Sequence, residues 1–148
     1  MFNALFDSST IPLLQKVAAF TERRQEVLAG NLANVSTPDY RSRDLPTEAF
    51  QEALRAAVAA RTLPDQPASA NWAFHDVAGQ NRPAQVFRDE LFQAVEAADP
   101  GPTFQDGNNR NIELLAMQVT KNSLMQSMAV QLMNAQFTRL QAVISERP

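Results

Sequence analysis

The side chains that most often carry catalysis are scarce in this chain of 148 residues, and those present are not spaced for it. The one histidine, His75, stands beside Asp76 in the run NWAFHDVAG. Such a base activates a nucleophile only when the fold brings a serine within hydrogen-bond reach, and no serine here sits in a recognisable elbow motif. An ordinary loop histidine is the expectation. Cysteine is absent, which excludes thiolate nucleophiles, thiolate metal sites, iron–sulfur clusters and disulfides. A single imidazole cannot build the usual histidine-based zinc site either. Asp106-Gly107-Asn108-Asn109 superficially matches a calcium loop, but that pattern requires an oxygen ligand at its fifth position and glycine at its sixth. Arg110 and Asn111 stand there instead, so the run reads as a turn followed by helix-capping asparagines. Only four glycines are present, and Gly101 and Gly107 do not form a phosphate-cradling loop. These residues predict no enzyme, no cofactor and no metal.

Charge narrows the partners. The net charge is −3 and the pI about 5.1, whereas a nucleic-acid surface must offer a basic face to phosphate. Arg23-Arg24 and Arg41-Ser42-Arg43 are short and balanced by Glu22, Glu26 and Asp44, so they read as solvated faces or interface contacts. No nucleic-acid partner is expected. Hydrophobic residues make up 45% and charged residues 20%, ordinary values that argue against wholesale disorder and suit a single domain over residues 1–148. The opening MFNALFDSST has neither a basic region nor a long apolar run, so no cleavable signal peptide is expected. No window approaches the ~18–20 apolar residues of a membrane span.

The elements that could position any site follow from proline. Pro38, Pro46, Pro64, Pro67, Pro83, Pro100 and Pro102 all fall in the middle of the chain, and a helix-interior proline costs ~3 kcal/mol. Long helices are therefore expected only towards the two ends. The first is expected over residues 9–36, capped by Ser9 or Thr10, with Pro12 tolerated in its first turn. Leu13, Val17, Phe20 and Val27 form one apolar stripe, and Leu14, Thr21, Leu28 and Val35 a second beside it, a broad face of coiled-coil type. Thr37 precedes Pro38, so the helix must end by there. Gly30 within it admits two explanations, fraying of the last turns or close approach of another backbone. The last helix is expected over residues 109–146, capped by Asn109 or Asn111, with Glu113 favourable to its dipole. Leu114, Met117, Leu124, Met128, Leu132, Ala135 and Leu140 give it a three–four apolar spacing. Between the two, residues 37–108 read as an irregular middle. A short helix is predicted over 47–61, with Thr47 as cap and Phe50, Leu54, Ala57 and Val58 on one face. Residues 62–83 read as a flexible loop, and 86–98 as either a second short helix or an extended segment.

The last helix is also short of charge. From Leu114 to Thr138, 25 residues, Lys121 is the only charged side chain, where the chain average would place about five. Its polar positions are amides and hydroxyls, which pack against protein without desolvating an ion. Val27 to Pro38 likewise carries no charge over twelve residues. Both ends thus read as helices surrounded by more protein than one small chain supplies, as in a polymer or tight oligomer. The methionines Met117, Met125, Met128 and Met133 suit such a surface.

One run is more specific. Leu28-Ala29-Gly30-Asn31-Leu32-Ala33-Asn34-Val35-Ser36-Thr37-Pro38-Asp39-Tyr40-Arg41 resembles the N-terminal signature of bacterial flagellar rod and hook proteins, roughly N-[aliphatic]-A-N-x-x-T-P-G-[aromatic]-[basic]. Asn31, Ala33, Asn34, Thr37, Pro38, Tyr40 and Arg41 fall in place. Asp106, Gly107, Asn108 and Asn109, then Glu113, Lys121-Asn122, Phe137 and Leu140, resemble the proximal-rod branch of that family. The resemblance covers about residues 10–45 and 104–146, roughly half the chain. There are departures: Asp39 replaces a usual glycine at a position expected to need positive φ, Arg110 a small aliphatic, Leu115-Ala116 an acid–methionine pair, and Gln126 an aromatic.

The resemblance implies an all-α protein whose long N- and C-terminal helices pack as a coiled-coil layer around a central channel. The Pro-rich middle, most of which the resemblance does not cover, is expected from its own residues to carry one or two short helices. It implies export through the flagellar type III export apparatus, and a place in the periplasm-spanning rod of the basal body. The partners would be other rod subunits and the basal-body base, and the work transmission of torque. Leu124 and Met128 are expected in the assembly interface. The alternative is a soluble cytoplasmic helical adaptor or export chaperone that pairs its end helices within one chain.

Overall fold

The computed structural model describes residues 10–62, 87–97 and 112–145. They are mostly helical, and the N- and C-terminal helices pack together. In chain order the described elements are α1 (Ile11–Ala33), β1 (Arg43–Asp44), α2 (Thr47–Thr62), a 3-10 turn (Asp89–Phe92), β2 (Val95–Glu96) and α3 (Ile112–Ser145). The 34 residues of α3 make a rod of roughly 50 Å.

The first helix begins two residues later than expected and stops three residues sooner. Thr10 makes no side-chain capping bond, because its φ of −76° and ψ of −4° are already helical whereas a capping residue needs an extended backbone. Ser9 lies outside the described residues. At the other end Val35 N–H reaches back only to Leu32 C=O, and the chain leaves the helix before Thr37 and Pro38. Among the described residues nothing lies within 4 Å of where a Cβ on Gly30 would stand, so none of their backbone approaches it closely.

The second helix starts with Pro46, not Thr47, as its half-in residue: Phe50 N–H donates to Pro46 C=O at 3.0 Å. Phe50, Ala53 and Ala57 are buried, and Leu54 is partly so. Val58, expected on the same face, is instead exposed, because the buried stripe continues through Ala53 and Ala57. Of the segment 86–98, residues 87–97 are described: Leu91 and Phe92 lie in the 3-10 turn, whereas Val95, placed with them in the helical alternative, lies in β2. The two short strands pair antiparallel, Arg43 with Glu96 and Asp44 with Val95, an addition to the all-helical expectation. Of the expected flexible loop, residues 63–83 lie outside the described residues, as do His75, Asp76 and the candidate caps Asn109 and Asn111.

The core is aromatic and sits on one side of α1. Phe20 and Phe50 stack with ring centroids 3.9 Å apart and planes 11° from parallel. Phe92 meets both edge-on and Phe87 leans on Phe50. Leu45, Ala53 and Ala57 complete the cluster. Such ring pairs contribute ~0.5–1.5 kcal/mol beyond the area they bury. The 3-10 turn places Phe92 against this cluster, and Lys16 Nζ lies 5.8 Å above its ring centroid.

Candidate functional site

The run from Gly30 to Asp44 folds as one hydrogen-bonded turn in which side chains replace missing backbone partners. Asn34 donates twice to Gly30 C=O, from its backbone N–H at 3.2 Å and from Nδ2 at 2.9 Å, closing the end of α1. Its own carbonyl accepts from Thr37 N–H at 2.9 Å. Asp39 then takes φ of 57°, the left-handed conformation that Asp tolerates better than most residues. Tyr40 N–H turns back to Thr37 C=O, and its hydroxyl donates to Asn31 Oδ1 at 3.0 Å.

Asn31 is the centre of this arrangement, and it is almost fully buried. Ser42 turns its carbonyl towards β2, accepting from Ala97 N–H at 3.1 Å. Neighbouring residues of an antiparallel strand point their backbone groups in opposite directions, so Arg43 turns its pair away from β2. The Asn31 amide meets them there: Nδ2 donates to Arg43 C=O at 2.6 Å, and Arg43 N–H donates to Asn31 Oδ1 at 3.0 Å. One side chain thus takes the place of a third strand and covers an edge that would otherwise offer free backbone groups. Below it, Arg24 grips Asp44 with two parallel bonds of 2.7 and 2.6 Å in a largely buried setting. Asp44 Oδ1 also accepts from Leu45 N–H. Arg41, by contrast, reaches Glu96 in solvent; the hydrogen bond first, and the attraction second, hold its pKa above the ordinary arginine value.

Of the residues expected to matter here, Asn31, Asn34, Thr37 and Tyr40 are brought together in the turn. Ala33 and Pro38 are exposed beside it. Asp106, Gly107, Asn108 and Asn109 lie outside the described residues.

The second part of the site is α3. Leu115, Asn122 and Ala129, seven residues apart, are buried along its inner side. The stripe singled out in the sequence faces elsewhere: Leu124 is 66% and Met128 65% exposed, with Leu114, Met117 and Leu132 also exposed. On a helix that outer stripe lies well round from the inner one. The inner seam itself is polar at its centre. Asn122 is 1% exposed and donates from Nδ2 to Thr21 C=O at 2.8 Å and to Gln25 Oε1 at 2.9 Å. Thr21 is buried because its hydroxyl folds back onto the Val17 and Ala18 carbonyls. Asn122 Oδ1 has no hydrogen-bond partner among the described residues, a deficit of about 1–3 kcal/mol for a buried acceptor. Thr21 and Gln25 were not among the expected site residues, and Asn122 entered only through the Lys121-Asn122 pair of the resemblance. The available signal was a threonine inside an apolar seven-residue stripe, Leu14, Thr21, Leu28.

A cleft of about 200 Å³ opens between α1, α2 and α3, and its ionisable side chains, Arg24 and Lys121, are both cationic. Among the described residues no group of three His, Cys, Asp or Glu side chains could hold a metal ion, and no helix is long and apolar enough to cross a membrane. Neither a family model nor a curated protein matches the sequence.

Proposed function

We propose that the chain is a structural subunit of the proximal rod of the bacterial flagellar basal body, polymerising through its terminal helices into a stiff tube that transmits torque. The observation that carries this is the outer face of α3, where Leu124 and Met128 stand in solvent on a helix almost without charge. A helix serving one chain alone would carry Glu and Lys there. Contiguous apolar surface of this kind marks a site of protein association. The resemblance of residues 28–41 to the rod and hook signature supplies the identity of the assembly, with rod subunits and the basal-body base as neighbours and the type III apparatus as the exporter. The coiled-coil layer belongs to this proposal and needs the neighbours.

The pairing of α1 with α3 inside one chain favours a second reading, a soluble cytoplasmic adaptor or export chaperone. Mass spectrometry of purified basal bodies separates the two. Stoichiometric presence supports the rod, and absence with abundance in the cytosol overturns it. Leu124→Asp sharpens the result. That side chain is exposed, so the free chain should keep its stability within ~0.5 kcal/mol. Incorporation into rods should fail, because assembly would bury an unpaired carboxylate. Normal rods built from this variant would sink the assigned interface.

A further inference from the structure

We propose that Asn122 is a register pin: its buried amide allows one longitudinal setting of α3 against α1 and makes the neighbouring settings unfavourable. The seam needs such a device. Its buried positions recur every seven residues, Leu115, Asn122 and Ala129 on α3 against Thr21 and Leu28 on α1. A seam with that period can slide by seven residues, ~10 Å, and still meet apolar with apolar. The side chains flanking it on α3 include Met125 and Met133, both partly buried and flexible enough to repack around either setting. Apolar contact therefore discriminates weakly.

The amide discriminates sharply. In the observed setting it approaches the Thr21 carbonyl past a small side chain that folds back on its own helix, and it finds Gln25 Oε1 one turn on. Sliding by seven in one direction puts Leu14 and Ala18 where Thr21 and Gln25 were; the other direction puts Leu28 and Leu32 there. Neither pair has a side-chain acceptor, and the leucines obstruct the approach to the carbonyl. A buried amide would then lose its partners without regaining water. The orphaned Oδ1 is consistent with a residue kept for specificity and not for strength. A single buried asparagine fixes register in other helix pairs at a cost in stability. The inference does not depend on what the chain assembles into. In any assembly the pin would set the height of the outer Leu124–Met128 stripe relative to the turn after α1.

The absence of native cysteine makes the test direct. Spin labels on Ala29→Cys paired in turn with Ser127→Cys and Gln141→Cys, all exposed positions, report the α1–α3 distance in the full chain. The parent sequence should give one narrow distance for each pair. Asn122→Leu should keep its helicity and a melting midpoint no lower than the parent's, while the distances split or broaden by up to ~10 Å. Gln25→Leu, which removes only the side-chain acceptor, should broaden them less. A single unchanged distance in Asn122→Leu would overturn the proposal. So would loss of helix pairing in both Asn122→Leu and Asn122→Met, which would make the amide a source of stability and not of register. A parent chain without a narrow distance would overturn it as well.

Discussion

The two sides of α1 are finished to different degrees. Towards β1 and α2 the helix is closed off: Phe20 stacks on Phe50, Arg24 grips Asp44 with two bonds, and Asn31 uses both ends of its amide. Towards α3 it meets Asn122, whose oxygen is orphaned, and the far side of α3 leaves Leu124 and Met128 in solvent. The first side draws its stability from the aromatic cluster and a largely buried ion pair. The second side trades some stability for polar matching and carries apolar surface that the chain itself does not cover. A fold built this way can hold its signature turn rigid while its last helix stays available.

The largest effect should come from the closed side. Phe50→Ala empties a site with stacked and edge-on ring neighbours, and phenylalanine truncations of this kind cost ~3–5 kcal/mol. Denaturant unfolding measures this, and Leu124→Ala on the outer face of α3 should change stability by only ~0.5 kcal/mol. Equal losses in the two variants would break the comparison. Next comes Asn31→Ala, which leaves Arg43 N–H, Arg43 C=O and the Tyr40 hydroxyl without their shared partner. At about 1 kcal/mol for each hydrogen bond the loss should be ~2–3 kcal/mol. Tyr40 is the only tyrosine, so its absorption should show the hydroxyl released to water before the chain unfolds. An unchanged tyrosine spectrum would mean that the turn does not depend on Asn31.

What could be read in advance follows from the kind of force involved. Proline exclusion and helix propensity are local, so the two long helices and the short one were legible to within a few residues. The positive φ at Asp39 was legible too, because the resemblance put a glycine position there and the constraint lies in the backbone. The seam was not. Leu114, Met117, Leu124 and Met128 are the more apolar stripe of α3, yet the stripe that meets α1 is Leu115, Asn122 and Ala129. Hydropathy ranks a face by what it would gain on burial, whereas the choice of face here also turns on which carbonyl and amide come within reach. Asn31 posed a similar difficulty. Its place in a motif was visible, but its role as a substitute strand required knowing that Ser42 and not Arg43 faces β2. The two-residue strands carry no periodicity to detect.

Asp39 gives the finest test of the closed side, because its effect is the smallest and its sign carries information. An L residue in the left-handed region is held there against about 1–2 kcal/mol, less for Asp, whose side chain can bond locally. Glycine removes that strain but loses more chain freedom on folding, an opposing term of roughly 0.5–1 kcal/mol. Asp39→Val, with no local bond to offer, should lose most of the 1–2 kcal/mol. Asp39→Gly should fall within about 0.5 kcal/mol of the parent, on the stabilising side if strain dominates and on the other if chain entropy does. Thermal unfolding of the two variants beside the parent measures the pair. If Asp39→Gly instead loses more than Asp39→Val, conformational tolerance is not what places an acid here, and the Asp39 carboxylate must hold a contact that keeps the turn closed.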